Sequence, residues 1–119
     1  MTAVMGFDRT ELDDAVANTA DVVIANDNSD AQVVLSGSKE GVDTVVAAVT
    51  CKRAIPLAVS GAFHSPFMAE PAAAFAKQLD ALNFANSRVA VLSNTDPTPC
   101  TDGAQLKQRL LAQMTTGVR

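Results

Sequence analysis

The chain has no tryptophan and no tyrosine, and five phenylalanines supply all of its aromatic content. A sheet that reads single-stranded nucleic acid needs exposed aromatic rings, and a duplex or an anionic lipid needs a basic face. Nine Lys and Arg against thirteen Asp and Glu leave a net charge of −4, which argues against nucleic acid and membrane as partners. Cysteine is scarce: Cys51 and Cys100 stand far apart, with no CxxC and no metal-ligand spacing. Two reduced thiols in a cytoplasmic protein are therefore expected, with no metal site. No stretch approaches the ~20 apolar residues of a membrane span. The start, Met1 to Gly6, lacks the basic-then-apolar order of a signal peptide.

What remains is a globular composition, 48% hydrophobic and 18% charged over 119 residues. That length fits one small domain, or one domain plus part of another. Ala3-Val4-Met5 reads as a strand ended by Gly6. Asp8 can cap the helix that follows, with Glu11 as capping-box partner. Leu12, Ala15, Val16 and Thr19 share one face of that helix. Val22 to Ala25 is a short β-branched strand running into a turn cluster, Asn26 to Asp30. Gln32 to Leu35 is the next strand, closed by Ser36-Gly37. Ser38 is the expected cap of a second helix striped by Val42, Val45, Val46 and Val49. Ala54 to Val59 completes the set, with Pro56 marking an edge strand or a strand end. The order is β-α-β-β-α-β, so the expected class is α+β, a ferredoxin-like unit over residues 1–59.

Residues 60–119 follow another pattern. A loop of small residues, Ser60 to Pro66, leads to a helix with Pro71 in its first turns and Ala72, Phe75, Ala76, Leu79 and Leu82 on one face. Val89 to Leu92 reads as a strand, and a last helix carries Ala104, Leu106, Leu110 and Leu111 to about Met114. One strand and two helices make no independent core, so this half is expected either to pair with the first half's sheet or to be part of a larger sheet outside these residues.

His64, the single histidine, lies in the loop between a strand and a helix, where a scaffold can present a catalytic group. An imidazole there can act as general base for a hydroxyl nucleophile. By residue type alone, an ordinary loop or capping histidine is the stronger reading. The adjacent Asp13 and Asp14 diverge by about 100° on a helix and make no acid/base pair.

At this loop the sequence resembles the malonyl-CoA:acyl-carrier-protein transacylases. Ser60-Gly61-Ala62-Phe63-His64-Ser65, with Phe67-Met68 and Pro71-Ala72 behind it, is similar to the family's active-site histidine loop. Asn26 to Ser29 followed by Gln32 to Gly37 resembles a hairpin of its small subdomain. Val91-Leu92-Ser93-Asn94 and Ala112 to Arg119 match further segments, and Asn94 to Pro97 and Met114 to Arg119 look most like cyanobacterial members.

The resemblance implies an acyltransferase of fatty-acid biosynthesis. It takes malonyl from coenzyme A onto a serine and passes it to acyl carrier protein, without a cofactor. It implies His64 as general base, Gln113 as the residue whose main-chain carbonyl orients it, and Ala62 and Phe63 as pocket residues beside the acyl group. The family's serine elbow, of Gly-x-Ser-x-Gly type, does not occur in these 119 residues. None of Arg9, Arg53, Arg88, Arg109 and Arg119 matches its malonate-binding arginine. Asp30-Ala31 stands where many members carry Pro-Gly.

The expectation is an internal piece, inactive alone: the small subdomain plus the histidine-bearing segment, residues 60–119, of the large α/β domain. Its open apolar face should favour self-association. The competing expectation is a non-catalytic ferredoxin-like module that binds protein, with Lys52 and Arg53 as its local basic patch.

Overall fold

Asp8 and Ser38 start the two helices that cover the sheet, each by the same device. Ahead of α1 (Arg9–Ala17), the Glu11 amide donates to Asp8 Oδ1 at 3.0 Å. Ahead of α2 (Lys39–Ala48), the Gly41 amide donates to Ser38 Oγ at 3.0 Å. Glu11 does not return the capping-box bond; its carboxylate accepts from Thr50 Oγ1 instead. Removing the Ser38 cap leaves a helix N–H unpaired. Ser38→Ala is therefore expected to cost about 1 kcal/mol in a urea melt.

The computed structural model describes residues 1–119. The strands are β1 (Thr2–Phe7), β2 (Val22–Ser29), β3 (Gln32–Gly37) and β4 (Cys51–Pro56). They form one antiparallel sheet in the order β2-β3-β1-β4. With α1 and α2 as the crossovers, this is the ferredoxin-like split βαβ. Val4, Val33 and Leu35 from the sheet meet Leu12, Val42, Val45 and Val49 in the core. Alternation puts Val34 and Ser36 on the opposite face, and both are buried as well.

Two strand boundaries differ from the sequence expectation. Asn26 to Ser29 is not a turn: β2 runs through it with two register shifts against β3, and the turn shrinks to Asp30-Ala31. Pairing at the sheet's outer strand tolerates these polar side chains, because the shifts absorb the mismatch. The last strand is Cys51–Pro56, not Ala54 to Val59. Lys52 and Arg53 look like loop residues, but β1 recruits them through Met5↔Arg53 and Phe7↔Cys51. Pro56 ends this edge strand, where its missing N–H is harmless.

Beyond the sheet lie a 3₁₀ turn at Pro66–Met68, α3 (Ala69–Asp80) and α4 (Gly103–Ala112). The expected strand at Val89 to Leu92 does not form; its trace is a single bridge, Val91↔Cys100. A strand needs a neighbour to fill its ladder, and here there is none beyond that bridge. The helix expected to reach Met114 ends at Ala112. Val89, Leu92 and Leu82 are 69%, 64% and 55% exposed. The radius of gyration is 15.9 Å, against roughly 13.5 Å for a compact domain of this length. The accessible surface is 7239 Å², against roughly 6,100 Å² for a closed one of this mass. Both excesses accompany exposed apolar side chains, most of them in residues 60–119. No helix is long and apolar enough to cross a membrane.

Candidate active-site histidine

The loop after β4 is held from within. Ser65, almost fully buried, donates its hydroxyl hydrogen to Ala62 O at 2.5 Å. Phe63 folds back toward Gly61 while staying partly exposed. Between these two residues His64 adopts φ 55°, a left-handed conformation uncommon outside glycine but one that histidine visits more than most. That turn carries the imidazole toward the end of α4.

There His64 Nδ1 lies 2.6 Å from the main-chain oxygen of Gln113. A carbonyl only accepts, so Nδ1 carries a proton, and in the neutral ring Nε2 then keeps its lone pair. The acceptor is available for a simple reason. The last carbonyls of a helix have no partner inside it. Those of Leu111 and Ala112 are taken by the amides of Met114 and Thr115. Gln113, the C-cap, has its carbonyl left for the imidazole. The residue pair named from the sequence is thus brought together, and Ala62 and Phe63 directly precede the histidine on the same turn. No cluster of His, Cys, Asp or Glu fit to hold a metal ion is present.

Sequence reasoning did not foresee the cleft on which Gln113 borders. It has a volume of about 450 Å³ and is lined by Phe84, Leu92, Asn94, Arg109, Leu110 and Gln113 among others. Arg109 does not point a free charge into it: Nη2 pairs with Asp96 at 2.8 Å, and Nη1 donates to Thr98 O at 2.6 Å. The Thr98 amide, and less so Arg109, hold the Asp96 carboxyl below the usual carboxylate range. Arg9 is likewise committed, to Asp13 and Asp27. Both guanidiniums are thus engaged in ion pairs. Three of the seven serines are engaged or enclosed: Ser38 caps α2, Ser65 closes its loop and Ser36 is buried in the sheet.

No family model matches the chain. Individual relatives do. The malonyl CoA-acyl carrier protein transacylase of Synechocystis sp. is 51% identical over 119 residues, all of this chain and 41% of that protein. The protein of the same name from Bacillus subtilis is 36% identical over 126 residues, covering 40% of it. The crystal structure of the Synechocystis malonyl-CoA:ACP transacylase matches with a TM-score of 0.96 over 99% of this chain and 40% of its own. A malonyl-transacylase solved in complex with a type II polyketide-synthase acyl-carrier protein matches with a TM-score of 0.89 at 32% identity, again over 40% of that chain. The chain thus spans about two fifths of the length of the relatives it matches. In sequence and in fold, along its whole length, it is homologous to a segment of the malonyl CoA-acyl carrier protein transacylases.

Proposed function

We propose that this chain supplies the general base of a malonyl-CoA:acyl-carrier-protein transacylase. The observation that carries the reading is the 2.6 Å bond from His64 Nδ1 to the Gln113 carbonyl, which leaves Nε2 as a free acceptor. In the reaction, Nε2 takes the proton of a serine hydroxyl as its oxygen attacks the malonyl thioester. The imidazolium then returns the proton to the departing coenzyme A thiolate. In the second half, Nε2 takes the proton of the carrier's phosphopantetheine thiol, the thiolate attacks the serine ester, and the serine oxygen recovers the proton. The serine comes from outside these 119 residues. Malonyl-CoA is a substrate, and these acid–base and nucleophilic steps call for no cofactor.

Residues 1–59 are the ferredoxin-like subdomain on this reading, and 60–119 the histidine-bearing segment of the larger α/β domain. Ala62 and Phe63 shape the acyl pocket. The exposed Val89, Leu92 and Leu110 form the side on which the rest of that domain packs, and on its own such a side favours self-association. Two free thiols suit the reducing cytoplasm in which fatty acids are assembled.

Intact-mass spectrometry with malonyl-CoA tests the reading. The chain alone should gain no mass. Mixed with a polypeptide carrying the serine elbow, it should lead to malonylation of that polypeptide. A malonyl adduct on this chain itself would place a nucleophile where none is expected. No adduct on either would leave a protein-binding module as the better account.

A further inference from the structure

Gly117 to Arg119 lie along the outer edge of β2, the side away from β3. The Val118 amide donates to Ala25 O and the Asp27 amide donates to Val118 O, both at 2.8 Å. Asn26 and Val118 thereby form a parallel bridge. Gly117 sits so close to the strand that a Cβ on it would stand 2.5 Å from Ile24 O. Beyond it, the Arg119 amide donates to Asn94 O at 2.8 Å. These bonds tie the chain that leaves α4 to the ferredoxin-like sheet.

The tie lies one short stretch from Gln113. Between them the Met114 and Thr115 amides and the Thr116 hydroxyl bond back onto Leu111 and Ala112, leaving little slack. The histidine loop lies beside the same strand: Ser65 and Phe67 line a small cavity together with Val22 and Val23 of β2 and Ser36 of β3. Both ends of the His64–Gln113 bond are thus referenced to β2, His64 near its start and Gln113 through its middle. A hydrogen bond of this kind contributes only about 0.5–1.5 kcal/mol net, comparable to the cost of ordering one residue of backbone. A fraying helix end does not hold it unaided.

We infer that the backbone pairing of Val118 with β2 is a positioning device. It holds the Gln113 carbonyl in reach of His64 Nδ1 and so keeps the imidazole in the tautomer that leaves Nε2 free. Val118 is a positioning residue that acts through Gln113. The inference rests on His64 being the base, but its test needs no catalysis.

Because His64 is the single histidine, long-range ¹H–¹⁵N correlation on the labelled chain reads its ring without ambiguity. At about pH 8.5, where an ordinary imidazole is neutral, the unaltered chain should show a protonated Nδ1 and a bare Nε2. Val118→Pro removes the donor to Ala25 O. It should lower the ratio of Nδ1–H to Nε2–H forms by about two- to twelvefold, with β1 and β3 amide shifts unchanged. Val118→Ala keeps both backbone bonds and should keep the original signature. An unchanged ratio in Val118→Pro with an intact sheet overturns the inference, as does an equal loss in Val118→Ala.

Should Val118→Pro fail to fold, urea titration of the unaltered chain decides. Protection of the Val118 amide and the Nδ1–H signature should be lost together, and loss at different urea concentrations overturns the proposal. If the tautomer shifts but reconstituted transfer is never seen, the strap stands and the proposed function falls. If transfer is restored while the tautomer ignores Val118→Pro, the reverse holds.

Discussion

Replacing His64 by alanine is expected to lower malonyl transfer by about 10²- to 10⁴-fold once the serine-bearing part is restored, the range for a lost general base. Alanine carries a second fault, since it must sit at the φ of 55° that His64 adopts, where a β-carbon is strained. His64→Asn separates the two effects. Asparagine accepts left-handed backbone but has no basic nitrogen, so it should lose transfer equally while costing no more than the bond to Gln113, about 0.5–1.5 kcal/mol. The measurement is single-turnover transfer to acyl carrier protein, beside a urea melt of each variant. Transfer within tenfold of the parent in His64→Asn would remove this histidine from the chemistry. Addition of free imidazole should restore part of the rate in His64→Ala, because the missing group is then supplied from solution.

Gly37→Ala is expected to be the most damaging single change in the sheet. Gly37 ends β3 at φ 157°, and a Cβ placed there would lie 2.0 Å from Asp21 O and 2.7 Å from the Cα of Val22. Neither atom belongs to a flexible side chain. Asp21 O accepts the Ser38 amide at 2.8 Å, and Val22 is the register partner of Gly37. Moving them apart opens the β2–β3 ladder at the point where α2 begins. Backbone strain of this kind costs about 1–3 kcal/mol, and forced overpacking costs a similar amount. A loss of about 2–5 kcal/mol follows, a large share of the roughly 5–15 kcal/mol that holds a typical domain. Urea denaturation followed by circular dichroism checks it. A loss below about 1 kcal/mol would mean that the strand end gives way without harm.

The helix caps, the striped helix faces and the β-α-β-β-α-β order were legible because each is set within a few residues. An N-cap needs only its own side chain and the amide two or three positions on, so Asp8 and Ser38 could be named directly. Strand limits were not legible to the same degree. Asn26 to Ser29 and Cys51 to Arg53 have the composition of turns and loops, yet both lie in strands. A strand extends as far as its neighbour offers unpaired groups, and that neighbour is remote in sequence. Val89 to Leu92 shows the converse: strand-forming residues without a ladder, left as one bridge.

The site divides along the same line. His64 and Gln113 were named from motif resemblance, since local chemistry alone favoured an ordinary loop histidine. The sequence by itself determined the residue types: one imidazole on a loop of small residues, and a helix whose final carbonyls lack partners. Only the tertiary structure decided which carbonyl meets the ring, and at what distance. It also decided that Arg109 is taken by Asp96, and that Val118 is bound to β2. Capping and amphipathic stripes act over one or two turns of chain and are written where they act. The meeting of residues 64, 113 and 118 with strand 22–29 depends on how the two halves of the chain close on each other, and no local stretch encodes that.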